Sequence, residues 1–78
     1  MKRNKYIIIN DVFPILFTEA QQHIDIGRKL NVTSAGFFRT SILEGKIKVH
    51  CYGESISLGI KSQPDDSYFI EKFLNMGE

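Results

Sequence analysis

Seventy-eight residues are enough for one domain and too few for a second. A hydrophobic share of 42% beside 24% charged residues excludes a disordered chain, and a formal net charge of +1 excludes any global pull toward nucleic acid or an anionic membrane. The single cysteine, Cys51, excludes an intrachain disulfide framework of the kind small secreted domains rely on, so a cytoplasmic location is expected.

Met1-Lys2-Arg3-Asn4-Lys5 opens the chain with the basic character of a signal peptide. The apolar run behind it stops at Asn10-Asp11 and no small-residue cleavage site follows, so it is read as part of the fold. No stretch approaches the ~18 apolar residues of a membrane span. Tyr6-Ile7-Ile8-Ile9 predicts a strand, and apolar side chains on consecutive positions predict burial on both of its faces. Phe13 to Phe17 reads as a second short strand, which Pro14, lacking a backbone donor, confines to a sheet edge or a strand start. Thr18-Glu19-Ala20-Gln21 has the form of a capping box and predicts a helix from Glu19 to about Leu30, with His23, Ile24 and Gly27 on its apolar side. Glycine weakens a helix by about 1 kcal/mol relative to alanine. The expected compensation at Gly27 is a close approach to the sheet.

Phe37 to Lys61 predicts a three-stranded antiparallel meander. With Glu44-Gly45 and Gly53-Glu54 as two-residue turns, the first hairpin pairs Leu43 with Lys46 and runs on to Phe37 with Tyr52. The second pairs Ser55 with Tyr52 and runs on to Ile60 with Ile47. Alternation then gives a core face of Phe38, Thr40, Ile42, Ile47, Val49, Cys51, Ile56, Leu58 and Ile60. Phe37, Arg39, Ser41, Leu43, Lys46, Lys48, His50, Tyr52, Ser55, Ser57, Gly59 and Lys61 fall on the outer face. Ser62-Gln63-Pro64-Asp65 opens a last helix: Asp65 and Asp66 complement the positive end of its dipole, Phe69, Ile70, Phe73 and Leu74 form an apolar stripe, and Gly77 suits its stop. The expected fold is a single two-layer α+β domain over residues 1–78. Its antiparallel sheet comprises the meander 37–61 and one or two N-terminal strands, with two helices on one face.

Catalytic signatures do not survive inspection. Gly53-Glu54-Ser55-Ile56-Ser57 lacks the second glycine of a nucleophile elbow and leads into a strand rather than a helix. His50 and Cys51 are strand neighbours, so their side chains point to opposite faces and cannot form a thiol–imidazole pair. His23 and His50 lack ligand-like spacing, so no metal site is expected, and His23 reads as a core-edge residue bonded to backbone. No cofactor motif is present. What remains is the outer sheet face, where Arg39, Lys46, Lys48 and His50 lie beside Tyr52 and Phe37. Basic side chains among aromatic rings can hold phosphates and stack bases; lysines on a solvated face also suppress edge aggregation.

From Thr18 to Met76 the order helix, meander, helix resembles that of the double-stranded-RNA-binding domain and of small RNA-cleaving toxins. Those RNA-binding domains use a basic start to the final helix, where this chain has Ser62-Gln63-Pro64-Asp65-Asp66. The toxins' Gly-Ser-His-type strand motif is absent too. The resemblance implies an element order and no site residue.

The leading expectation is a small non-enzymatic interaction or regulatory protein, self-associating through a sheet edge or exposed aromatics. The alternative is a nucleic-acid-binding domain acting through Arg39, Lys46, Lys48, His50 and Tyr52. A small nuclease built on His50 comes last, because no second acid–base residue stands beside it. Eleven isoleucines against two alanines, and seven lysines against three arginines, point to an AT-rich genome and a bacterial or phage source.

Overall fold

The run Tyr6 to Ile9 is apolar on consecutive positions because its strand has neighbours on both sides and a layer on each face. The computed structural model describes residues 3–76. Its elements in chain order are β1 (Asn4–Ile9), β2 (Phe13–Thr18), α1 (His23–Gly27), β3 (Val32–Leu43), β4 (Lys46–Tyr52), β5 (Glu54–Ser55), β6 (Ile60–Lys61) and α2 (Asp66–Asn75). β1 to β4 form one antiparallel sheet in the order β2-β1-β3-β4, and β5 pairs with β6 in a small sheet of its own. Tyr6, Ile7 and Ile8 on β1 are each at most 1% exposed. Tyr6 and Ile8 pack with Phe38 and Ile70 on one face of the sheet, joined by Leu16, Val49, Cys51, Phe69 and Leu74. β2 lies at the edge with Pro14 as its second residue, as the missing donor requires.

The α+β class and the antiparallel sheet match the expectation from the sequence, and the first hairpin matches residue for residue, from Leu43 opposite Lys46 to Phe37 opposite Tyr52. Glu44 and Gly45 both take positive φ, 53° and 79°, as a two-residue hairpin turn whose twist suits the strands demands. The third meander strand does not join the sheet. After Gly53 the chain leaves β4, folds back on itself so that Glu54 and Ser55 pair with Lys61 and Ile60, and closes with the Ser62 amide donating to the Gly53 carbonyl. Ile56, expected in the core, is 90% exposed at the tip of that hairpin, and Ile42 is 71% exposed at the tip of the first. Thr40 is exposed as well, whereas Phe38, Val49 and Cys51 do pack in the core. The helix–meander–helix resemblance therefore ends at β4, and β1 fills the sheet instead.

The place expected for the third strand is taken by α2. Its side chains at four-residue spacing reach the free edge of β4: the Cys51 amide donates to Ser67 Oγ (3.0 Å), the Val49 amide to Glu71 Oε1 (3.1 Å) and the Ile47 amide to Asn75 Oδ1 (3.3 Å). Asn75 Nδ2 also donates to the Ile47 carbonyl at 3.1 Å. Four helical residues rise about 6.0 Å and two strand residues about 6.6 Å, so the two repeats stay in step over three contacts. Three amides and one carbonyl that another strand could have paired with are thereby satisfied.

The helices take opposite faces of the sheet rather than sharing one. α1 carries the chain from β2 over β1 to β3, on the face of Ile7. A Cβ added at Gly27 would meet Val32 Cγ2 at 2.9 Å, Leu58 Cδ1 at 3.2 Å and Ile7 Cδ1 at 3.7 Å, so the close approach expected there is present. The helix is far shorter than the expected span from Glu19 to Leu30. Thr18 Oγ1 accepts from the Ala20 amide (3.3 Å) in a local turn instead of capping a helix, and Lys29 at φ 68° ends the segment. In α2, Ile70 is fully buried while Phe73 is 49% exposed, so the apolar stripe is only partly core. Gly77 lies outside the described residues.

Asp66 is not the dipole-compensating surface residue that the sequence implies. Only 2% exposed, its carboxylate accepts from the Tyr6 hydroxyl, from Ser34 Oγ (2.8 Å) and from the Gln63 amide (2.8 Å). Those bonds pin the start of α2 to β1 and β3 at once. Asp65 beside it is exposed and makes no side-chain cap bond. Asp66→Ala should cost about 3 kcal/mol, since it strands buried donors. Asp65→Ala should cost less than about 1 kcal/mol. Urea unfolding followed by circular dichroism measures both, and equal losses would contradict this account.

Candidate functional site

The five residues singled out from the sequence stand on one face of the β3–β4 hairpin, the face opposite α2. Arg39 lies directly across from His50, Ser41 from Lys48 and Leu43 from Lys46. β1 pairs with β3 no further than Phe38, so Arg39 to Leu43 and Lys46 to His50 run on as a two-stranded ribbon. Every residue from Arg39 to Lys46 is exposed. Arg39, His50 and Tyr52 are brought together: the Arg39 guanidinium carbon is 5.8 Å from the Tyr52 ring centre, and the His50 ring stacks on Tyr52 at 6.1 Å with 17° between planes. Lys46 stands apart at the ribbon tip. Lys48 turns partly toward the β4 edge, where its Nζ is 4.0 Å from Glu71 Oε1. Lys61, also expected on this face, is instead on β6 opposite Glu54.

The rings continue inward from the ribbon. Tyr52 stacks on Phe37 at 5.8 Å, Phe37 meets the edge of His23 at 5.5 Å, and His23 meets Phe17 at 5.3 Å. Arg3 covers the far end, its guanidinium carbon 3.9 Å above the Phe37 ring while its Nε donates to Glu19 Oε1 at 2.8 Å. That bond holds the Glu19 carboxyl below its usual range. Arg3 is the site residue that sequence reasoning misses: until β1 is known to pair with β3, nothing places it beside Phe37.

His23 is the backbone-bonded core-edge residue expected. It is 4% exposed, and its Nε2–H donates to the Gly36 carbonyl at 2.8 Å. Position 36 requires glycine, since a Cβ there would come within 2.6 Å of the Tyr52 carbonyl. Burial pushes the His23 pKa down, reinforced by the Lys5 and Arg3 charges, although the Gly36 bond opposes the shift. The ring is thus neutral at neutral pH.

The other chemistry-bearing groups are structural. Cys51 is half-buried on the face opposite His50, and burial raises its thiol pKa. Ser55, expected on the outer face, is instead fully buried, because its Oγ accepts from the Leu58 amide (3.1 Å) and shares a hydrogen bond with Ser57 Oγ (3.3 Å), shaping the β5–β6 turn. Tyr6 is held in its phenol form by burial and by its bond to Asp66. Among the described residues no three His, Cys, Asp or Glu side chains converge as a metal-ligand group, and no helix is long and apolar enough to cross a membrane.

Comparison of the chain with protein-family models, with curated proteins and with solved structures gives no match, so the functional reading rests on its own residues.

His23 makes stability depend on pH with a definite sign. Its folded pKa lies below the unfolded value of about 6.5, so the unfolded chain binds the proton first and stability drains as pH falls below about 6.5. Urea midpoints between pH 7.5 and 5.5 should therefore decline in the native chain and decline less in His23→Gln. An unchanged slope in the variant would remove His23 as the cause.

Proposed function

We propose that the protein is a non-enzymatic nucleic-acid-binding protein of the bacterial or phage cytoplasm, acting through the outer face of the β3–β4 hairpin. The observation that carries this reading is a single exposed face holding Arg39, Lys46, Lys48 and His50, to which the paired strands β3 and β4 contribute no carboxylate; Glu44 sits at the turn and Glu71 reaches Lys48 from the β4 edge. Arg39 and Lys46 form no ion pair among the described residues, which leaves both charges available to phosphate. With a net charge of only +1 on the whole chain, it is this clustering that would supply the attraction. His50 faces Arg39 and stacks on Tyr52 rather than meeting a carboxylate, so the proposal contains no hydrolytic step.

Fluorescence anisotropy with labelled 20-mer single strands and duplexes tests it. Three phosphate contacts predict log K falling against log salt with a slope of about −3. Lys46→Glu with Lys48→Glu should weaken binding at least tenfold at low salt and flatten the slope to about −1. No binding at low salt, or binding indifferent to the double substitution, rejects the reading.

An apolar groove favours a second reading, self-association. Val12, Phe13, Phe73 and Met76 line it beside the β2 edge, and Phe13 and Met76 are 65% and 72% exposed. β2, of sequence Phe-Pro-Ile-Leu-Phe-Thr, carries Pro14 but none of the charged side chains that usually guard an edge strand. Sedimentation at rising protein concentration should show a monomer–dimer equilibrium that Phe13→Glu shifts at least tenfold toward monomer. A monomer at every concentration would reject this second reading.

A further inference from the structure

On the nucleic-acid reading above, we infer that the ligand is double-stranded DNA, bound with the β3–β4 ribbon laid face-on in the major groove. Three features of the face decide between kinds of nucleic acid.

The first is that its rings already lean on one another. Phe37 and Tyr52 stack with 27° between planes, His50 stacks on Tyr52, Arg3 covers Phe37, and Arg39 stands beside Tyr52. Single strands are held without pairing mainly by bases stacked on open aromatic faces. This face offers them little.

The second is shape. Beyond Phe38 the ribbon is two strands wide with no third strand beside it, and its tip residues Ile42 and Leu43 are 71% and 56% exposed. The major groove of B-form DNA, about 12 Å wide, admits a two-stranded ribbon, whereas the major groove of duplex RNA is too deep and narrow for side chains to read. Five residues per strand extend about 17 Å, the length of about five base pairs. α2 lies along the β4 edge and the back of the hairpin, touching the outer face only where Glu71 reaches Lys48 and where its side chains flank Lys46.

The third is the order of side chains. Ser41 lies across from Lys48 at the centre of the face, with Arg39 and His50 on one side and Lys46 on the other. Arginine, lysine and serine are the donors that read guanine and neighbouring base edges in that groove, and cations at the flanks meet phosphates.

Two substitutions of adjacent residues separate face-on docking from bulk charge. Ser41→Glu and Ile42→Glu add the same charge one residue apart, on opposite faces of the ribbon, at positions exposed enough to leave the fold intact. Anisotropy titrations with a 20-bp DNA duplex should show Ser41→Glu weakening binding at least tenfold and Ile42→Glu less than threefold. The native chain should bind the duplex DNA at least tenfold more tightly than a single strand or a duplex RNA of the same sequence. Methyl green, a major-groove ligand, should compete, and netropsin, a minor-groove ligand, should not. Tighter binding to single strands or to RNA would overturn the duplex assignment, and equal effects of the two glutamates or competition by netropsin alone would overturn face-on docking in the major groove; each would leave nucleic-acid binding in place. Failure to bind any of the three nucleic acids would overturn both.

Discussion

The fold depends on one buried carboxylate. Asp66 accepts hydrogen bonds from β1 through Tyr6, from β3 through Ser34 and from the turn before α2 through Gln63, so it fixes both where the helix begins and which way it faces. Once that phase is set, Ser67 lands on the Cys51 amide, Ile70 drops into the core against Tyr6, Ile8 and Phe38, and Glu71 and Asn75 reach Val49 and Ile47. A helix rotated by a single residue, about 100°, would lose the buried bonds, the core contact and the edge contacts together. A buried polar group left unpaired would be costly in this interior, but three donors meet the Asp66 side chain, and those bonds fix two layers in register.

The open surface follows from that placement. By sealing β4 with side chains, α2 replaces a third meander strand and frees the segment after Gly53 to form its own small hairpin. The sheet is completed from the other direction by β1 and β2, with the short α1 crossing the face of Ile7. α1 is only five residues long and lies over β1, so it leaves the β3–β4 ribbon uncovered on its outer face. An aromatic run leads from the buried His23 out to His50, which ties the ribbon's orientation to the core. The cationic face is therefore carried on paired strands rather than on a loop.

Much of the ribbon was legible in the chain. A two-residue Glu44-Gly45 turn leaves one register in which Phe38, Val49 and Cys51 share a face, and the same register puts Arg39 opposite His50. The buried β1 and the edge position of β2 could also be read, from the apolar run Tyr6 to Ile9 and from Pro14. The second hairpin misled because Gly53-Glu54 followed by alternating Ser55, Ile56, Ser57 and Leu58 has the same local pattern as a true strand pair. Local pattern cannot know that the edge it needs is already occupied. The capping-box motif at Thr18 failed for a related reason: Thr18 Oγ1 closes a local turn with the Ala20 amide, and with Gly27 against Ile7 and Lys29 at φ 68° the helix stops after five residues.

The sequence by itself determined what short-range geometry controls: the first hairpin's register, the face of every residue on it, the separation of Cys51 from His50, and the apolar β1. Each follows from side-chain alternation and turn stereochemistry within a few residues. Only the tertiary structure decided what depends on distant partners. Asp66 became a buried anchor because Tyr6, 60 residues away, offers it a hydroxyl. Ser67, Glu71 and Asn75 became edge guards because β4 lies beside them. Arg3 joined the aromatic face because β1 pairs with β3. Those roles belong to pairs of residues far apart in the chain, and only packing brings such pairs together.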